Sequence, residues 1–108
     1  MVAETRLHPE RLIVPFFVVE GRDDEQPIGS MPGVSRYGVE TLLPRIERAL
    51  ERGVRSVVLF GVIDTAQKDG RASAADDPAG PVGTALREAR AAFGDDVVLI
   101  TDVCLCGY

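Results

Sequence analysis

The chain has 108 residues, enough for one domain or part of one. A hydrophobic fraction of 45% predicts a packed core and argues against disorder. Against 17 acidic residues stand 12 basic ones, for a formal net charge of −5 with no Lys/Arg cluster. Nucleic acid and anionic membrane surfaces are therefore poor partners.

The chain opens on a polar segment that holds its one histidine, His8, just before Pro9. A solvated surface histidine is the simplest reading. Residues 12–19, LIVPFFVV, form the first apolar run. It is too short to span a bilayer, and Pro15 interrupts it. It also lacks the basic front and small-residue cleavage site of a secretory signal. A cytoplasmic location is expected, where cysteines serve as thiols or metal ligands rather than structural disulfides. The polar stretch EGRDDEQPIGSMPGVSRYG follows. Its four early carboxylates read as a solvated loop, and Pro32-Gly33 suits a type II turn.

Val39, Leu42, Leu43, Ile46, Ala49 and Leu50 then fall on one stripe of a helix, with Gly53 as a C-cap candidate. Pro44 leaves two starts open. With Thr41 as N-cap, Pro44 lies in the first turn and is tolerated; with a start at Val39 it lies inside, where a kink is expected. The second apolar run is SVVLFGV, residues 56–62. After it comes DTAQKDGRASAADDPAG, with the chain's only lysine, Lys68. A Schiff-base lysine needs a desolvated pocket, which Gly/Asp-rich surroundings do not suggest, so Lys68 reads as a surface charge. The second helix stripe is Val82, Ala85, Leu86, Ala89 and Phe93, with Pro81 near its start and Gly94 past its end. The third run, VVLITDV at 97–103, leads into Cys104 and Cys106.

All three runs are nearly continuous rather than alternating, the mark of strands buried on both faces. The order is β-α-β-α-β, an α/β fold with parallel strands. Both long polar stretches follow strands, where parallel α/β folds place ligand-binding loops. If the third strand continues to its end, period-two alternation puts Asp102, Cys104 and Cys106 on one face. Two thiolates could supply half the tetrahedral shell of a soft ion such as zinc. The competing reading is two small buried apolar residues. His8 is the only other good metal ligand.

LIVPFFVVEG, QPIGSMPGVSRY, VVLFGVI, KDGRASAADDPAGPV and VVLITDVCLCGY together resemble the N-terminal part of the porphobilinogen synthase (5-aminolevulinate dehydratase) family. The likeness runs in order from about Glu4 to Tyr108. It implies a (β/α)8 TIM barrel, of which residues 12–108 supply the first three strands and two helices. Residues 1–11 would be the remnant of an arm that embraces a neighbouring subunit in a homo-oligomer. It implies a lyase that condenses two 5-aminolevulinate molecules to porphobilinogen, with loss of two waters, in haem and tetrapyrrole synthesis. Cys104 and Cys106 match the first two zinc ligands of the family's zinc-dependent members, and Asp102 an active-site aspartate. Zinc would act as a Lewis acid on the second substrate.

The family's third cysteine and both Schiff-base lysines come later, and Lys68 matches neither lysine. Gly107 stands where Pro or Glu is more usual. The chain is therefore expected to be a fragment, inactive alone. Its first and third strands would carry unpaired apolar edges, inviting self-association or aggregation. An Asp102 buried among helices would be costly without a partner. Asp102, Cys104 and Cys106 are thus expected to face the barrel lumen, away from the helices, with Leu105 packing outward. Two other readings compete: a stand-alone metal-binding module using Cys-x-Cys, and a flavodoxin-like domain with no enzymatic role.

Overall fold

The computed structural model describes residues 7–104, 107 and 108. Its regular elements are β1 (Ile13–Val18), β2 (Glu25–Pro27), β3 (Ser35–Tyr37), α1 (Val39–Glu51), β4 (Ser56–Gly61), α2 (Pro81–Phe93) and β5 (Val98–Thr101). Among the described residues the strands form one sheet, ordered β2-β3-β1-β4-β5. β3, β1, β4 and β5 run parallel, and β2 is antiparallel to β3. The expected β-α-β-α-β order is present as β1-α1-β4-α2-β5.

Residues opposite one another in a ladder share a face of the sheet. Val14 pairs with Val57 and Phe16 with Leu59, while Val57 pairs with Leu99. That face, continued by Val18 and Val97, packs against Leu42 and Ile46 of α1 and Ala85 and Ala89 of α2. Leu42, Ile46, Val18 and Val57 are fully buried. The opposite face carries Ile13, Phe17, Val58, Phe60, Val98 and Ile100. Phe17 and Phe60 meet there with ring centroids 5.7 Å apart, yet Ile13 stays 55% exposed and Val98 54%. Burial on both faces is thus not what this chain achieves. Both helices lie on one side, and nothing among the described residues covers the other.

α1 starts at Val39 behind Gly38, so Pro44 lies inside the helix and Thr41 is not its cap. The first turn is satisfied by the loop after β1 instead. Glu40 N–H donates to the Arg22 carbonyl at 2.8 Å and Gly38 N–H to that of Asp24 at 2.9 Å. The Thr41 hydroxyl also donates to the Asp24 carbonyl. These contacts meet donors that a helix start leaves without partners. α2 begins at Pro81 and is closed by Gly94, as its sequence predicts.

The acidic loop after β1 is more ordered than its composition suggests. It folds back as a hairpin whose strands are β2 and β3. Gly33 adopts φ 82°, and Val34 N–H reaches the Met31 carbonyl at 3.0 Å. This is the type II turn expected of Pro32-Gly33, since only the residue after Pro needs positive φ. The hairpin also corrects one expectation about edges. β3 pairs with β1 at Phe17 and Val18, so the first strand is not left bare. The new outer strand, β2, is short and exposed and ends on a proline, all features that discourage further pairing. β5 keeps an open apolar edge among the described residues.

Arg22 joins this loop to both helices. Its Nε donates to Glu40 of α1 at 3.1 Å, and its two terminal nitrogens donate to Glu88 of α2 at 3.0 and 2.8 Å. The fork-shaped guanidinium suits such a bridge. The partners are solvent-accessible, so the bridge adds modestly to stability. It holds the Glu88 carboxyl below its ordinary value of 4.5, chiefly through the hydrogen bond from Arg22. A depressed carboxyl pKa stabilises the fold above the ordinary value, and that contribution is lost as pH falls through the folded one. Urea unfolding at pH 7 should therefore show Arg22→Gln less stable than the parent, with the gap closing as pH drops below 4.5. A gap that stays constant into acid would contradict this role. The two sheet faces predict a second contrast. Leu42→Ala should cost about 2–5 kcal/mol, whereas Ile13→Thr should stay within about 0.5 kcal/mol, both read from urea midpoints.

Candidate functional site

Because the strands are parallel, the chain leaves β1, β4 and β5 at one common rim. Both polar stretches lie there. Between the ends of β1 and β4 is a cavity of about 400 Å³ lined by Glu20, Asp24, Arg36, Asp64 and Lys68. Charges of both signs meet in it, and Gln67 donates to Glu20 at 3.0 Å. Lys68 is exposed, as expected of a surface lysine.

A larger cavity, about 550 Å³, opens at the ends of β4 and β5. Phe60 and Gly61 line it from the sheet, Val82 and Leu86 from α2, and Asp102, Cys104 and Tyr108 from the segment after β5. β5 pairs with β4 only as far as Thr101. Asp102 is exposed, Val103 is 99% exposed and Cys104 is half-buried. The expected strand through residue 106 is therefore not formed over 102–104. Among the described residues β5 is the sheet's last strand, with a hydrogen-bonding neighbour on one side only, and beyond Thr101 that ladder ends. Face alternation cannot be carried past that point. Cys104 and Leu86 of α2 both line this cavity, as does Phe60 of the opposite sheet face. For the buried-apolar alternative, Cys104 is half-buried rather than fully enclosed. The expectations for Leu105 and Cys106 lie outside the described residues.

His8 sits before β1, at the opposite end of the parallel strands, and is exposed. It is not brought to the Cys104 rim. Cys104 is disulfide-bonded here, where the sequence favoured a thiol; a zinc ligand must be the reduced thiolate. Among the described residues no group of three or more His, Cys, Asp or Glu side chains is placed to hold an ion. Taken alone, these donors do not make a metal shell.

Sequence reasoning missed Asp69, Gly61 and Tyr108. The Asp69 carboxylate accepts the N–H groups of Arg71 at 3.0 Å and Ser73 at 2.9 Å. Its pKa is lowered, chiefly by a hydrogen bond from the Ser73 side chain. Asp69 N–H in turn donates to the Tyr108 carbonyl at 3.0 Å. Tyr108 rests over Gly61: a Cβ there would lie 2.5 Å from Tyr108 Oη and 2.8 Å from Val82 Cγ2. Asp-Gly-Arg-Ala-Ser has the composition of a local capping turn, the one signal that could have pointed to Asp69. Nothing in sequence separation could link it to Tyr108.

The delta-aminolevulinic acid dehydratase family model matches residues 1–108. The chain is 45% identical over 105 residues to a delta-aminolevulinic acid dehydratase of Streptomyces coelicolor, covering 97% of this chain and 32% of that protein. It is 44% identical over 106 residues to that of Bos taurus, covering 98% and 32%. It spans about a third of the length of these curated relatives. Its fold superposes on a crystal structure of delta-aminolevulinic acid dehydratase (porphobilinogen synthase) from Toxoplasma gondii, in complex with the reaction product porphobilinogen. The TM-score is 0.89 at 36% identity, covering 96% of this chain and 29% of that one. A sequence match over the whole chain and a shared backbone over nearly all of it make this chain a member of the delta-aminolevulinic acid dehydratase family.

Proposed function

We propose that this chain forms the opening β-α-β-α-β segment of a porphobilinogen synthase barrel, an enzyme condensing two 5-aminolevulinate molecules with loss of two waters. The observation that carries this is the superposition on a dehydratase that itself holds porphobilinogen. The uncovered sheet face supports it. Ile13, Val58, Val98 and Ile100 are the kind of residues that fill a barrel lumen in layers, and they are left partly exposed by this chain alone.

In this reading Asp102 is the catalytic residue of the segment. It sits at the C-terminal rim, where barrel enzymes hold their chemistry, and its exposed carboxylate is free to receive a hydrogen bond from a substrate ammonium. Cys104 and Cys106, once reduced, would be two ligands of a zinc ion whose shell needs donors beyond this chain. The loops around Asp102 supply walls and orientation. They do not supply the amine that Schiff-base chemistry requires, because Lys68 is exposed among polar residues. The same reading implies a homo-oligomer, with residues 1–11 belonging to its arm, and a cytoplasmic location. No observation favours a stand-alone metal module or a flavodoxin-like domain over it.

A chimaera tests the proposal. This chain replaces the matching third of the Streptomyces coelicolor relative, and porphobilinogen formation from 5-aminolevulinate is assayed. Turnover is expected, with a loss of at least a hundredfold for Asp102→Asn, roughly the low end of what a positioned acid–base group contributes. A folded chimaera without turnover would sink the reading. The 108-residue chain alone should give no pyrrole above blank. Its zinc, loaded after reduction, should be lost to a mild chelator, since two thiolates fill half a shell. Elemental analysis showing one tightly held zinc per monomer would contradict that.

A further inference from the structure

The segment that carries Asp102 and Cys104 leaves the sheet at Thr101, yet it returns to a defined place. We infer that Asp69, Tyr108 and Gly61 form a latch that positions this segment over the rim. Its parts come from three separated stretches of sequence. Asp69 belongs to the loop after β4. Its carboxylate gathers the N–H groups of Arg71 and Ser73, which fixes the local turn. That turn aims the Asp69 N–H outward to the Tyr108 carbonyl at 3.0 Å. Tyr108 is half-buried in the same cavity as Cys104, seated where β4 lacks a side chain at Gly61.

Each part depends on the others. Without the carboxylate the turn loses two acceptor contacts and no longer presents the Asp69 donor. Without the glycine the Tyr108 seat is filled by a methyl group. Without the ring the segment keeps its carbonyl but loses its apolar anchor beside Val82. Asp102, Val103 and Cys104 then lie between two fixed points, the β4–β5 ladder that ends at Thr101 and the latch at Tyr108. Asp69 and Tyr108 are positioning residues in this arrangement, acting on Asp102 and Cys104 through the backbone. The inference stands whether or not the dehydratase reading holds.

The test uses the whole chain, reduced, in a Cys106→Ser background so that only one thiol is counted. The alkylation rate of Cys104 is measured beside the urea midpoint. Asp69→Ala, which removes the acceptor of the turn, and Tyr108→Ala, which empties the seat at Gly61, should each speed alkylation by about fivefold, the change in opening expected for losing one ordinary hydrogen bond or one small apolar contact. The double variant should be no faster than either single one, because a latch opens once. Arg71→Ala, an exposed side chain on the same loop, should leave the rate unchanged. Unaltered rates in folded variants, or effects that multiply, overturn the latch. A measurement without substitution guards against misfolding: in the parent chain the Asp69 amide should exchange with solvent more slowly than that of Gly70. Equal exchange overturns the inference as well.

Discussion

The structure depends on one constraint, the in-register pairing of β1, β4 and β5. Pairing Val57 with both Val14 and Leu99 forces the same parity on all three strands. One set of side chains then meets α1 and α2, and the other set is turned away from them together. A slip of one residue in any strand would exchange the two faces and send Phe16, Leu59 or Val57 into the open. Such a slip would strip the helices of the surface they bury, so the helix layer and the register support each other. Parallel pairing also brings the strand ends to a common rim. The position of Asp102 relative to the loops after β1 and β4 is therefore a consequence of core packing.

The sequence made the framework plain and the site only partly so. Continuous runs such as SVVLFGV have one interpretation once 13-residue amphipathic helices flank them. Pro32-Gly33 and Gly94 announced their turns because few residues tolerate those backbone angles. The hairpin strands Glu25–Pro27 and Ser35–Tyr37 were hidden. Three polar residues carry no usable periodicity, and their pairing is set by where β1 ends. The start of α1 was equally obscure, because its donors are met by the carbonyls of Arg22 and Asp24 rather than by a capping side chain. At the third strand, hydrophobicity continued beyond the hydrogen-bonded ladder. Val103 looks like a strand residue in sequence and is almost wholly exposed. Composition cannot show that β5 is an edge, and alternation past an edge strand's last pair has nothing to enforce it.

The uncovered face explains why the runs look doubly buried in sequence when the fold buries them once. Val58, Phe60 and Ile100 are too apolar for a surface, and Phe17 and Phe60 pack against one another there. In a closed barrel such residues interdigitate in layers. The sequence therefore records a burial that this chain, a third of its relatives' length, does not by itself provide. The two ends of the sheet differ in the same sense. β2 is short, polar and closed by Pro27, an edge that needs no neighbour, whereas β5 offers Val98, Leu99 and Ile100 to a further strand.

The division of the sheet into a helix-covered face and an uncovered one ties the register, the helix layer and the barrel reading together. Methyl NMR of the monomeric chain with a soluble paramagnetic probe tests it directly. The methyl groups of Val57, Leu59 and Leu99 should be shielded beneath the helices, while those of Ile13, Val98 and Ile100 should be strongly broadened. Shielding of both sets, or broadening of the first set, would contradict the account.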